Sequence, residues 1–241
     1  MQYIFESFVV GAFGYLTFKQ HYEYKKLSHK INELHVTFDT KNVIEALEKK
    51  SKKIKIKKLY KNAFFLGIGG GGCNLLSDIL KKEVRFNHLY ISSDTQTLSH
   101  KTNTLILQNN SLECRGDVVC GKKLINTDIK YKLCKELPKD KKIFLLATLG
   151  GGTGSGSTIA IAKLLQFLKF DFHVITVIPF RFEGQRRMQN AQKSLKELQN
   201  ITSNISIVEN SQVLTKLEKQ TSVKESFQMI SDEVFEVMLD V

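Results

Sequence analysis

From Asn62 onward, short apolar runs alternate with longer amphipathic stretches. The runs Asn62–Gly67, His88–Ile91, Thr104–Gln108, Ile143–Leu149, Phe172–Pro179 and Asn204–Val208 are too short and too continuously apolar for amphipathic helices, and glycine or polar residues close them. That pattern predicts buried strands of a parallel sheet. Between them, helices are predicted over Asn74–Lys82, Lys122–Glu136, Ser157–Leu168, Gln185–Leu198 and Val223–Leu239. The last carries Val223, Phe227, Ile230, Val234, Val237 and Met238 at helical spacing. Such alternation predicts an α/β fold, a Rossmann-like doubly wound parallel sheet with helices on both faces. Ligands of these sheets sit at the carboxyl ends of the strands.

The first quarter of the chain reads differently. Tyr3–Phe18 is apolar apart from Glu6, Ser7 and Thr17, and Lys19, Lys25 and Lys26 follow it. Its length falls short of the ~20 residues of a spanning helix. Two expectations stand side by side: a short anchor or interfacial helix on an anionic membrane, or a helix packed on the globular part or on a second copy. Residues 1–60 hold twelve lysines against six acids, and so supply half of the chain's formal charge of +12. They are densest at Lys49–Lys58. We therefore expect a basic, helical N-terminal extension, 1–60, ahead of a globular domain, 61–241. A partner of negative charge is implied, but nucleic acid is disfavoured because the arm lacks interleaved aromatics.

The chain of 241 residues is 42% hydrophobic with 16 Phe, enough for a substantial core and against global disorder. Cys73, Cys114, Cys120 and Cys134 show no metal-ligand spacing. So few thiols suggest a reducing, cytoplasmic setting with no disulfide framework.

Two glycine-dense segments carry the candidate chemistry. Gly150-Gly-Gly-Thr-Gly-Ser-Gly156 follows directly on the apolar run Ile143–Leu149. Without Cβ atoms a backbone can bring several N–H groups onto phosphate oxygens, and a helix N-terminus beyond adds partial positive charge. Thr153 and Ser155 offer hydroxyls for phosphate or for metal-bound water. A flexible linker is the competing explanation, but linkers do not join a buried strand to an apolar helix. The earlier segment, Gly67-Ile-Gly-Gly-Gly-Gly-Cys-Asn74, contains Gly67-x-Gly69-x-x-Gly72, with Asp94 22 residues further on. That is also the dinucleotide fingerprint, so an NAD-dependent Rossmann enzyme is an alternative. A dinucleotide site uses one glycine turn; two converging turns suit a triphosphate better.

At these residues a family resemblance enters. Gly150–Gly156 is identical to the signature of the tubulin/FtsZ GTPases, and Gly69, Gly70, Gly71, Cys73 and Asn74 resemble the first phosphate loop of FtsZ. Tubulins also tend to carry cysteine or a small residue at the position of Cys73. Ser92-Ser-Asp-Thr-Gln-Thr-Leu98 keeps the Asp94, Gln96 and Leu98 of another family segment. Pro179-Phe-Arg-Phe-Glu-Gly-Gln-Arg-Arg-Met188 is similar to a third. The resemblance implies that Glu183 holds ribose hydroxyls, that Arg187 lies against the nucleoside and that Asn210 reads guanine. It further implies that Phe227 stacks on the base and that Asp232 pairs with it. The physics agrees, since a carboxylate accepts two hydrogen bonds from a vicinal diol and an aromatic face stacks on a purine. Taken singly, Phe227 also fits a core residue, Glu183 a helix-start acid and Asp232 a surface charge. The implied ligands are GTP or GDP with Mg²⁺, the metal held through phosphates and water rather than by the protein. The implied partners are a second copy of the chain or an FtsZ-like filament.

Two departures temper the resemblance. In Arg115-Gly-Asp-Val-Val-Cys-Gly-Lys122 only Arg115, Gly116 and Gly121 match the family's third phosphate loop, and Asp117 would repel a phosphate there unless a metal ion intervened. Lys122 or Lys123 is the candidate compensation. The sequence also stops at Val241, within the helix that in the family leads to a second domain and its catalytic acidic loop. The expectation is a cytoskeletal or membrane-associated regulator that binds GTP and hydrolyses it slowly or not at all, with Asp232 the sole candidate catalytic acid. The alternatives are a GTPase activated by self-assembly or a partner, and a degenerate module that binds membrane or nucleic acid.

Overall fold

The computed structural model describes residues 23, 25–26, 40–82, 85–107, 114–209 and 223–241. Tyr3–Phe18 and Asn210 lie outside them. The chain forms two compact units, Met1–Lys52 and Lys53–Val241. Helix α1, Thr40–Asn62, runs directly into the first strand, and its Ile56 and Leu59 pack on the core of the larger unit. Among the described residues no helix is long and apolar enough to cross a membrane.

Six strands follow: β1 Ala63–Ile68, β2 His88–Ser92, β3 Thr104–Ile106, β4 Lys142–Thr148, β5 Phe172–Ile178 and β6 Ile205–Glu209. All pair in parallel, in the order β3-β2-β1-β4-β5-β6. The helices are α2 Gly69–Lys82, α3 Thr95–Leu98, α4 Val118–Lys123, α5 Thr127–Glu136, α6 Gly152–Phe167, α7 Gln185–Gln199 and α8 Val223–Asp240. A short 3₁₀ turn, Arg181–Glu183, precedes α7.

Each apolar strand feeds two layers, because successive side chains point to opposite faces. Phe65, Phe144, Leu146, Ile175 and Val177 join the core shared with α2 and α8. Their neighbours Leu66, Ile68, Ile143, Leu145 and Val174 join the core beneath α5, α6 and α7. Phe65 anchors the first layer, with Phe86 at 4.9 Å and Phe144 at 5.2 Å between ring centroids. The predicted doubly wound α/β sheet is therefore present.

The helix starts differ from expectation. α2 and α6 begin inside the glycine segments, at Gly69 and Gly152 rather than near Asn74 and Ser157. Glycine disfavours a helix interior, but in a first turn the neighbouring backbone decides. The single helix expected over Lys122–Glu136 is two, broken where Asn126 caps α5 by accepting from Ile129 N–H at 3.0 Å.

Strand β5 also buries an ionisable group. The His173 ring lies 2.9 Å from Ser206 Oγ on β6, and burial, reinforced by Lys142, lowers its pKa to about 4. The folded protein thus holds His173 neutral where the unfolded chain, with a higher pKa, takes up a proton. Stability is complete above pH ~6.5 and falls as pH drops toward 4. Urea denaturation at pH 7 and pH 5 should show a loss on the order of 1 kcal/mol, reduced in His173→Gln.

Candidate functional site

The strand order reverses between β1 and β4, and the crevice at their carboxyl ends is where such sheets receive ligands. Both glycine segments open there. Gly69 adopts φ +72°, and a Cβ on it would lie 2.7 Å from the backbone N and Cα of Gly154. The first turns of α2 and α6 therefore touch backbone to backbone. A Cβ on Gly72 would meet Leu146 O at 2.4 Å, and one on Gly156 would meet Val118 O at 2.3 Å. These glycines serve packing.

The open side of the crevice belongs to others. Gly71 is exposed although a Cβ on it would strike Thr148 Oγ1 at 2.0 Å, Gly70 and Thr153 are half-buried, and a Cβ on Gly151 would have nothing within 4 Å. Gly151 has an ordinary φ of −84°. Neither packing nor backbone conformation calls for glycine there, and the backbone is left open. The N-termini of α2 and α6 direct their partial positive charge into the same space.

Several expectations need correction. Ser155 offers no hydroxyl to a ligand: it is fully buried, and its Oγ accepts from Gly150 N–H at 2.9 Å. Cys73 faces the core, where its thiol donates to Gly67 O at 3.2 Å and burial raises its pKa to about 12. Asp94 caps α3, accepting from Thr97 Oγ1 and from Gln96 N–H, and the Thr97 bond leads in lowering its pKa. Its carboxylate is thereby engaged locally, while Gln96 is exposed.

The third turn is also rearranged. Cys114 and Cys120 form a disulfide, against the expectation of none. The turn that Asp117 makes in capping α4 brings their Cα atoms to 5.5 Å, within bridging distance. Asp117 accepts from Val119 N–H at 2.8 Å and Cys120 N–H at 3.3 Å, so its charge meets a helix N-terminus instead of opposing a phosphate. Lys122 does not compensate: it pairs with Glu197 at 2.5 Å, which also holds Lys163 at 2.8 Å. Burial pushes the Glu197 carboxyl up, but the two ammonium groups outweigh it and hold its pKa low. Arg115 is exposed beside Gly116. Asn190 on α7, which sequence reasoning missed, donates to Gly116 O at 2.8 Å and to Gly150 O at 3.3 Å, tying the third turn to the signature.

From the α2 turn, where Gly71 lines it, a cavity of about 950 Å³ extends between α2, the ends of β4 and β5, and α8. Asn74, Pro179, Glu183, Arg187 and Phe227 all line it. Glu183 accepts from Phe180 N–H at 2.8 Å and pairs with Arg187 at 2.7 Å. Phe227 is half-exposed and meets the buried Phe180 ring edge-on at 6.1 Å. Asp232 is placed differently. Its carboxylate contacts Lys82 and accepts from Gln228 at 3.3 Å, and it is not among the described residues that line the cavity. Thr148 and Lys101 line it without having been anticipated, since neither stands in a recognisable motif.

A doubly wound parallel sheet with two glycine turns at its switch point gives this chain the architecture of the nucleotide-binding α/β proteins. The model of the tubulin/FtsZ family GTPase domain matches residues 62–218, and the chain belongs to that family. It is 29% identical over 175 residues to the cell division protein FtsZ of Helicobacter pylori, covering 69% of this chain and 45% of that protein. With the mitochondrial division protein fszA of Dictyostelium discoideum it shares 27% over 180 residues, 72% of this chain and 34% of the relative. The chain thus spans less than half the length of these relatives. Among solved structures it resembles an empty FtsZ dimer from M. jannaschii, with a TM-score of 0.61, 24% identity and coverage of 74% and 52% of the two chains. It also resembles CetZ2 from Haloferax volcanii in a GTPγS-bound protofilament, at 0.65, 21%, 74% and 57%. The dinucleotide alternative is set aside by the family assignment.

The glycine contacts yield a paired test. Gly69→Ala should cost about 1–3 kcal/mol of stability or more, because the added Cβ strikes the Gly154 backbone. Gly151→Ala should cost under about 1 kcal/mol, the difference between glycine and alanine at an open N-cap. Thermal or urea unfolding of the two variants reads both.

Proposed function

We propose that the chain binds GTP and GDP in the crevice between β1 and β4, with phosphates at the α2 and α6 turns and the nucleoside in the adjoining cavity. The observation that carries this reading is the unobstructed backbone at Gly151, in a family defined by its GTPase domain. Mg²⁺ travels with the phosphates, and the donor set at the turns is backbone N–H, suited to an anion rather than to a bare cation. Among the described residues no cluster of His, Cys, Asp and Glu fits a metal ion.

Hydrolysis by the isolated chain is slow. Asp117 is engaged at the α4 cap and Lys122 at Glu197, which leaves neither to position a water or to clamp a terminal phosphate. The chain then acts as a nucleotide-dependent cytoskeletal component in the cytoplasm, assembling with itself or with an FtsZ-like filament. Its lysine-rich helix supports a further contact with anionic membrane, because Lys49, Lys50, Lys53 and Lys57 are all exposed along α1.

Fluorescent GTP, GDP and ATP analogues titrated with Mg²⁺ test the site. Guanine nucleotides should bind selectively, with affinity weakened about tenfold or more in Gly151→Ala and in Asn210→Ala. Absence of nucleotide binding overturns the reading. A turnover per chain that rises steeply with protein concentration overturns slow hydrolysis. Flotation with anionic but not neutral liposomes, abolished by salt, checks the membrane contact.

A further inference from the structure

One wall of the cavity carries its own ruler. Gly71, Asn74, Leu75, Asp78 and Lys81 line it from a single face of α2. At about 1.5 Å of rise per residue, Asn74 lies roughly 4.5 Å and Asp78 roughly 10 Å beyond the glycine turn. With phosphates at that turn, one helical turn reaches the ribose and two reach the far edge of a purine. Phe227, Gln228, Ile230 and Ser231 face this depth from α8.

Asp78 is the acid found there. Its Oδ1 accepts from Lys81 Nζ at 2.6 Å, its Oδ2 lies 3.4 Å from the buried Ser231 hydroxyl, which donates at 3.1 Å to Phe227 O, and the side chain is 23% exposed. These contacts leave further acceptor capacity on both oxygens. Asp232, by contrast, is 55% exposed, engaged by Lys82, and absent from the described lining.

We propose that Asp78 is the specificity-determining residue that reads the purine, accepting from the N1–H and the 2-amino group of guanine. The proposal rests on the reading of the cavity as a GTP site. An ionised carboxylate only accepts, and guanine offers two donors side by side. Hypoxanthine offers one. Adenine turns a ring-nitrogen lone pair toward the carboxylate and is repelled.

Displacement of a fluorescent GDP analogue by GTP, ITP and ATP, with Mg²⁺, on wild type, Asp78→Asn and Asp232→Asn tests this, alongside thermal melting of each. Wild type should prefer GTP over ITP by about 10-fold or more, as for a hydrogen bond to a charged group. Asp78→Asn should bring that ratio close to one, chiefly by weakening GTP, whereas Asp232→Asn should keep it. An unchanged ratio in Asp78→Asn overturns the inference while the GTP site stands, and so does a ratio lost only in Asp232→Asn. A lower melting temperature in Asp78→Asn with the ratio intact assigns Asp78 to α2–α8 packing and overturns it equally. Failure of every nucleotide to bind wild type removes the GTP site and the inference with it.

Discussion

The structure depends on a contact in which no side chain takes part: the backbone of Gly69 against the backbone of Gly154. Two helices that start from neighbouring strands bring their first turns together here because Gly69 lacks the Cβ that would strike Gly154, and Gly154 lacks the one that would strike Thr148 O. Everything at the crevice follows from that approach. It sets the two helix N-termini side by side, concentrates their partial charge in one place, and fixes the wall along which Asn74 and Asp78 are spaced. The cores on either face of the sheet hold the strands in order, but the glycine contact makes their carboxyl ends into one site instead of two.

Much of this was legible beforehand. The central strands β1, β4 and β5 emerged because a nearly continuous apolar run of six or seven residues satisfies both faces of a parallel sheet at once. The lining of the cavity by Glu183, Arg187 and Phe227 was anticipated because three residue types in order, after a glycine signature, constrain one another strongly. What stayed hidden required the third dimension. Glycine at the start of α2 and α6 reads as loop until the opposing backbone is known. Ser155 looks like a phosphate ligand until its hydroxyl is seen to close on Gly150 N–H. Lys82 and Asp232 are 150 positions apart and nothing local links them. Asp78 belongs to no motif, and only its position two turns along α2 draws attention to it.

The third turn shows how a departure from a pattern is resolved physically. An aspartate near a phosphate site looked unfavourable, and the fold answers by pointing it at the α4 N-terminus, where negative charge is favoured. The lysines nearby answer to Glu197. The charges of Asp117 and Lys122 are thereby met within the fold, while Arg115 and Lys123 stay exposed.

Asn190 gives that arrangement a larger meaning. One carboxamide on α7 grips a carbonyl of the third turn and a carbonyl of the signature together. The third turn is thus positioned from outside, by a helix that its own residues do not belong to. Such a turn is braced twice, from within by its disulfide and its Asp117 cap and from outside by Asn190, so its address in the molecule is set by a neighbour as well as by its own residues.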